Sequence, residues 1–368
     1  MSCTRLVPLL NSLNLKQQIL IARRKDLGPQ PLPANSARTY NVIADTSTGA
    51  PVTPTDPPVL FLLYDDVSST GKRILFWMSP TFLAAINNRS IRIMFIDGTF
   101  KTTPKFFTQT WIVRCYIGDS TVAVPFCYIL LEDKSTASYL RALQLLSSAA
   151  PLLFPATVMV DFETTEHTAI RQVFPHAQIR GCLFHFKQCI KRHLTSDIPG
   201  YSTSGVVRGS FNAIYGLAFI DPVDIDRAWV LLRAELLRDY PFHTTAVILF
   251  YVESTWLYNR TYPRDMWSVY HSIILKDART NNVSEASNNA FNIAAAASHL
   301  AMPKYVKHLQ LFNAEAETTY LQQSTYQSTR RGVRPRTENN DKRIFDYVGT
   351  YDGNNLITWM RGVGHLYQ

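Results

Sequence analysis

The middle of the chain alternates between short apolar runs and amphipathic segments, and this pattern predicts a regular series of strands and helices. Apolar runs bounded by Gly, Asp, Ser or Thr predict strands at 92–97, 107–117, 121–131, 156–161 and 177–182. Apolar residues at helical spacing predict helices at 134–150, 164–174 and 183–194, and Ser135 is a candidate N-cap for the first of them. Two earlier runs, PVLFLLYDD and KRILFWMS, predict a pair of strands facing each other across the turn VSSTG.

The order of these elements predicts the fold class. Three strands come first, two of them joined as a hairpin through Gly118-Asp119-Ser120, and the later strands are each reached through a helix. Antiparallel strands followed by parallel strands with helical crossovers indicate an α/β protein with a mixed, ribonuclease H-like sheet. In such a sheet the strands at 92–97 and 156–161 lie side by side.

Shifts in composition divide the chain into five segments. A stretch rich in Pro, Ser and Thr separates a short basic helix from the rest, and residues 205–280 are mostly helical and rich in Trp and Tyr. The predicted segments are a basic helix and connector (1–58), the first part of the core (59–204), a helical insertion (205–280), a return helix completing the core (281–325), and a basic tail with a C-terminal helix (326–368).

Composition and charge narrow the class of protein. The chain has 368 residues, of which 46% are hydrophobic, so it can bury a substantial core. Its 37 Lys and Arg against 28 Asp and Glu give a net charge of +9, which favours a polyanionic partner but does not require one. Five widely spaced cysteines without a CxxC pair favour a reduced compartment. No apolar run reaches the length of about 18–20 residues that a membrane span needs, so we expect a soluble intracellular protein.

Two predicted strands end in an aspartate, and this pattern carries the candidate chemistry. Asp97 ends the strand RIMFID and Asp161 ends the strand TVMVD, so neighbouring parallel strands would place both carboxylates at one edge of the sheet. Crowded carboxylates are tolerated mainly beside a divalent cation, and Glu285, on a helix predicted at about 283–299, is a candidate third ligand. Taken singly, each acid has a simpler interpretation, as a turn former or as a helix first-turn acid.

Three blocks of the sequence resemble the Mutator-like element (MULE) transposase domain family. They occur in the family's order and together cover about residues 90–300, with a looser likeness in the flanks. The blocks are DGTFKTTPKFFTQTW, MVDFETTEHTAIRQVFPHAQIRGCLFHFKQCIKR and ARTNNVSEASNNAFN.

The resemblance implies a catalytic site and a cofactor. It implies a ribonuclease H-like transposase/integrase core with a helical insertion between the second Asp and the Glu, and metal-dependent DNA cleavage and strand transfer. It places the metal-binding Asp-Asp-Glu triad at Asp97, Asp161 and Glu285, with Mg²⁺ or Mn²⁺ in a two-metal site. It also places the family's Cys-x-x-His element at Cys182 and His185.

The residues around this element bear on zinc binding. Cys182, His185, Cys189 and His193 share one face of the predicted helix. Four ligands on one face would suit zinc, but they extend over about 16 Å, so we do not expect a zinc site and favour a core face instead.

The chain departs from the family in two respects. Asn288 stands where members often have a histidine, and no CxxC…HxH zinc module precedes residue 90. If the chain is complete, recognition of terminal repeats is weakened or relocated. Basic residues that could contact phosphates, or simply form solvated faces, are Arg23, Arg24, Lys101, Lys105, Arg330, Arg331 and Arg334.

Three functions fit these observations. The first is a nuclear DDE-type transposase or transposase-derived enzyme that binds transposon ends and target DNA and forms a homo-oligomer when active. The second is a domesticated nuclear protein that keeps the fold for DNA binding or regulation but no longer cleaves. The third is a metal-dependent nuclease for another nucleic acid. Retention of all three acids favours an enzyme, and the absent zinc module favours a domesticated protein.

Overall fold

The computed structural model of the protein describes residues 61–118, 122–275, 282–325, 335–351 and 353–366. The predicted basic helix and connector at 1–58 lie outside these residues, as do Asp119 and Ser120 of the predicted hairpin turn.

Seven strands form one mixed sheet. They are β1 (Leu62–Val67), β2 (Arg73–Met78), β3 (Ile93–Thr99), β4 (Gln109–Cys115), β5 (Val124–Leu131), β6 (Thr157–Val160) and β7 (Gln178–Gly181). Their order is β1-β2-β5-β4-β3-β6-β7, so β3 and β6 are neighbours, as the sequence predicts. The pairs β1–β2, β2–β5, β5–β4 and β4–β3 are antiparallel, and β6–β7 is parallel. The architecture is compatible with a ribonuclease H-like fold.

The strand sequences explain why the sheet lies inside the protein. Every residue of β4 and β5 is buried, which requires a cover on both faces and accounts for apolar runs without polar alternation. The hairpin of β1 and β2 pairs through Tyr64 and Phe76, as the sequence predicts, and extends the sheet beyond β5.

Thirteen α-helices accompany the strands. In chain order they are α1 (Pro80–Asn88), α2 (Thr136–Ala149), α3 (Thr164–Val173), α4 (Leu183–Asp197), α5 (Gly205–Gly216), α6 (Ile225–Asp239), α7 (Phe242–Val252), α8 (Arg264–Trp267), α9 (Tyr270–Ile274), α10 (Asn282–Ala295), α11 (Met302–Thr325), α12 (Pro335–Val348) and α13 (Leu356–Leu366). Ser135 caps α2, as predicted, by accepting a hydrogen bond from Ser138 N at 3.3 Å. These thirteen are the helices of the described residues.

The described residues form two compact units. The first contains residues 61–156, 165–177 and 283–325, and the second contains 157–164, 178–282 and 335–366, apart from the gaps already given. The first unit has a core in which the sheet packs against α10 and α11. Its buried members include Trp77, Ile112, Tyr128, Phe291 and Tyr305. α10 and α11 are therefore held to one face of the sheet by apolar contacts.

The second unit has its own helical core. It draws buried residues from α4, α5, α6, α7, α8 and α13 and from the turn after α7, including Phe186, Trp229, Trp256, Trp267 and Met360. After α7 the chain continues as a π-helical turn, Glu253–Leu257, which delivers Trp256 to this core.

Three helical features differ from the sequence prediction. The helix α1 was not predicted, although Ser79 followed by Pro80 is a good start signal, and Ser79 does cap it through Phe82 N at 3.3 Å. The segment 281–325, predicted to hold one return helix, contains two helices, because the long helix α11 follows α10. The helix α10 ends at Ala295 rather than 299, because Ala296 has a left-handed φ of 55°.

Candidate functional site

The strand β3 carries Asp97 into a nearly buried position. The preceding residues from Ile93 to Ile96 are buried, which fixes β3 in the sheet, and Asp97 pairs across from Ile112 of β4. Asp97 as a whole is 9% exposed. Asn288 Nδ2 on α10 donates a hydrogen bond of 2.7 Å to Asp97 Oδ2. The carboxylate is therefore oriented by a residue of a distant helix.

A second asparagine attaches the same helix to the end of β3. Asn292 Nδ2 donates to Thr99 Oγ1 at 2.8 Å, and Asn292 Oδ1 accepts from Thr102 Oγ1 at 3.1 Å. Positions 285, 288 and 292 are spaced i, i+3 and i+7, so they share one face of α10. Glu285 thus lies one turn before Asn288, and its side chain is outside the described part of the structure.

A fully buried arginine completes this group. Arg114 of β4 donates from Nη2 to Asn288 Oδ1 at 2.5 Å. Burial lowers the pKa of Arg114 to about 10, although the nearby charge of Asp97 opposes this shift. Arg114, Asn288 and Asp97 therefore form a buried chain of cation, amide and carboxylate. Arg114 is not among the site residues predicted from the sequence. A charge inside the apolar run TWIVRC is nevertheless a signal, because a buried charge needs a partner.

Asp161 follows β6 directly and belongs to the second unit. Its Oδ1 forms an ion pair with Nδ1 of His185, which lies in the first turn of α4. Burial lowers the pKa of His185, but its hydrogen bonds with Asp161 and Cys182 outweigh this and raise the pKa to about 11. His185 therefore carries a positive charge at neutral pH beside the Asp161 carboxylate.

The residue after Asp161 is held by aromatic side chains of the helical region. The Phe162 ring contacts Trp256 and Tyr262 edge-on, with ring centroids 4.8 and 5.5 Å apart. Tyr262 Oη also donates to the Phe162 carbonyl at 2.8 Å. On its remaining side the ring lies against Gly181. These contacts fix the backbone that carries Asp161.

Along the Cys-x-x-His helix face, Cys182 and His185 lie together beside Asp161, whereas His193 has other neighbours. Cys182 is buried at the N-cap of α4, and His185 contacts Asp161. His193 bonds Asp197 at 3.0 Å and packs on Tyr251. Among the side chains that the structure describes, which do not include that of Glu285, no three His, Cys, Asp or Glu residues lie in a geometry that could hold a metal ion.

The predicted basic residues are divided between described and undescribed parts of the chain. Lys101 and Lys105 are exposed in the loop that follows β3. Backbone bonds from His299 N to Lys101 O at 2.8 Å, and from Leu300 N to Thr102 O at 3.3 Å, hold this loop. The arginines outside the described residues are Arg23, Arg24, Arg330, Arg331 and Arg334.

The triad residues stand in two groups. Asp97 and the helix bearing position 285 are in the first unit, and Asp161 is in the second. The structure brings Asp97 together with Asn288 and Arg114, and it brings Asp161 together with His185.

The mixed α/β sheet has one aspartate near the end of β3 and another directly after β6, and this class of architecture is compatible with the ribonuclease H-like fold. The family model of the MULE transposase domain matches residues 93–189, a segment that contains Asp97, Asp161, Cys182 and His185. This match indicates a transposase-related function and implies DNA binding. No curated protein matches the chain. None of the helices in the described part is both long and apolar enough to cross a membrane.

Proposed function

We propose that this protein is a MULE-type DDE transposase, or an enzyme derived from one, that cleaves DNA and transfers strands with the help of divalent metal ions. The observation that carries the proposal is the hydrogen bond from Asn288 to Asp97 at 2.7 Å. It ties the helix bearing Glu285 to the first aspartate of the segment that matches the family model. The adjacency of β3 and β6 in the strand order supports the inclusion of Asp161.

The chemistry of the donor set fits Mg²⁺ or Mn²⁺. All three proposed ligands are carboxylates, and hard oxygen donors suit these ions better than zinc. In the proposed site Asp97 and Asp161 would hold the ions, and Glu285 would hold one of them and orient the attacking water. A bound pair of ions would activate that water and stabilise the leaving oxygen of the phosphodiester.

The loop after β3 is a candidate contact for the DNA backbone. Lys101 and Lys105 are exposed within ten residues of Asp97, and Phe106, also exposed, has a left-handed φ of 75°. Residues that the surrounding structure holds in a strained backbone conformation are frequent at binding sites. We propose that these lysines contact phosphates near the scissile bond. Further candidates for phosphate contacts are Arg23, Arg24, Arg330, Arg331 and Arg334. We also propose a nuclear location and a homo-oligomeric active form.

One observation favours a second candidate, a domesticated DNA-binding protein that no longer cleaves. Asp161 already has a charged protein partner, since a protonated His185 pairs with it. A metal ion would have to compete with His185 for the Asp161 carboxylate, which would weaken metal binding.

Nicking of supercoiled plasmid in Mg²⁺ or Mn²⁺ tests the proposal. We expect Asp97→Asn, Asp161→Asn and Glu285→Gln each to abolish nicking while salt-sensitive DNA binding persists. Glu163→Gln, which removes an acid two residues from Asp161, is the matched control and should nick like the wild type. DNA binding without metal-dependent nicking by the wild type would favour the domesticated protein instead.

A further inference from the structure

A buried cation lies one strand away from the proposed metal-binding acids, and the proposed chemistry has no role for it. Arg114 is 0% exposed and belongs to β4, opposite Phe95, while Asp97 is opposite Ile112. Residues opposite each other in an antiparallel pair share a face, so Arg114 and Asp97 are diagonal neighbours on one face of the sheet. Burying an arginine is costly unless the surrounding groups use its charge and its donors.

Asn288 occupies the position between these two charges. Its Oδ1 accepts from Arg114 and its Nδ2 donates to Asp97. Arginine can only donate and a carboxylate can only accept, so the orientation of the amide follows from its two partners. A side chain at 288 must therefore offer one acceptor and one donor, which an aspartate or an alanine cannot do.

The same contact fixes the helix as well as the carboxylate. Because position 285 lies one turn before Asn288 on the same face of α10, the bond to Asp97 sets the height and rotation of α10 relative to β3. Arg114 strengthens this bond, since it polarises the Asn288 amide from the other end.

We propose that Arg114 and Asn288 are positioning residues for the metal site: together they orient the Asp97 carboxylate and hold α10 at a fixed height and rotation beside β3, with position 285 one turn before Asn288. The proposal rests on the proposed function. The partners that orient metal-binding side chains typically change metal affinity by about 10–100-fold when they are removed.

Mn²⁺ binding to the full-length chain, followed by electron paramagnetic resonance, tests this role without any need for cleavage. We expect Asn288→Ala to weaken Mn²⁺ binding by at least about tenfold. Asn288→His should restore much of the affinity, because a neutral imidazole also offers one donor and one acceptor. Arg114→Met should weaken Mn²⁺ binding in the same direction.

A matched control separates positioning from loss of stability. Asn212 is a buried asparagine of the second unit that accepts a hydrogen bond of 2.7 Å from Tyr201. Asn212→Ala should lower the melting temperature but leave Mn²⁺ affinity unchanged. If the Asn288→Ala protein does not fold, the double variant Asn288→Leu with Arg114→Met, which also removes the buried charge, takes its place in the comparison of Mn²⁺ affinities.

The outcomes are distinct. Wild-type Mn²⁺ affinity in a folded Asn288→Ala protein, or equal losses in the 288 and 212 variants, would overturn the positioning role while leaving the proposed function intact. A wild type that binds no Mn²⁺ would overturn both. A loss restricted to the 288 and 114 variants, with partial rescue by histidine, would support the role.

Discussion

Gly181, the last residue of β7, has no side chain where the Phe162 ring packs, and an alanine there tests how Asp161 is held. A Cβ at position 181 would lie 2.2 Å from Phe162 Cζ and 2.3 Å from Phe162 Cε1. The ring cannot move away easily, because Trp256 and Tyr262 contact it edge-on. Gly181→Ala should therefore displace Phe162 and, with it, the adjacent Asp161.

The size of the effect follows from two opposing contributions. Overpacking a closely packed site costs about 1–3 kcal/mol. Replacing glycine by alanine gains about 0.4–1 kcal/mol through the unfolded state, since φ of Gly181 is not positive. The net loss should be about 1 kcal/mol, or a melting temperature lower by about 2–4 °C. Displacement of Asp161 should reduce plasmid nicking more, by about tenfold or beyond.

Thermal unfolding followed by circular dichroism, beside the nicking assay, measures both effects. Gly209→Ala is the matched control, because a Cβ there meets nothing within 4 Å in the helix α5, and it should stabilise by about 0.5–1 kcal/mol. In a Phe162→Leu background Gly181→Ala should cost less than in the wild type. A Gly181→Ala protein as stable and active as the wild type, or an undiminished cost in the Phe162→Leu background, would refute the reasoning.

Three further predictions concern the same regions. The pKa of His185 is raised to about 11 in the folded state, so its contribution to stability is complete below its ordinary pKa near 6.5 and is lost as pH rises toward 11. The difference in melting temperature between the wild type and His185→Asn, measured in EDTA, should therefore shrink from pH 6 to pH 10.5. A constant or growing difference would contradict this prediction. Glu166→Ala should lower the free energy of unfolding, measured in urea, by about 1–3 kcal/mol, because it removes the acceptor 2.9 Å from the buried Trp111 indole nitrogen. Glu166→Gln keeps an acceptor and should lower the free energy of unfolding less. Equal losses in the two variants would argue against this hydrogen bond. Lys101→Ala and Lys105→Ala should each reduce the slope of log binding constant against log salt concentration for DNA by about one. Lys307→Ala, which changes an exposed lysine of α11, should leave this slope unchanged. Equal slopes for all three variants would exclude the loop after β3 as a phosphate contact.

The parts of the fold that the sequence predicts are those with one dominant signal. The apolar run before Asp161 predicts a covered strand, and Val158 to Val160 of β6 are buried. Ser135 predicts the start of α2, which it caps. In each case a local pattern and its tertiary surroundings agree.

The parts that the sequence does not reveal depend on contacts between distant segments. Asn288 lies 191 residues from Asp97, its hydrogen-bond partner, and no periodicity links the two. Arg114 is conspicuous in an apolar strand, but its acceptor 174 residues away cannot be inferred from spacing. The early end of α10 depends on left-handed residues at 296 and 299, which lack the glycine that usually marks such a position.

Anomalous diffraction from crystals of the full-length protein with Mn²⁺ tests most directly whether the three acids form one metal site. We expect two Mn²⁺ positions about 3.5–4 Å apart, with oxygens of Asp97 and Asp161 on both ions and Glu285 on one. Mn²⁺ bound at other residues, or no Mn²⁺ at these acids at saturating concentration, would contradict it.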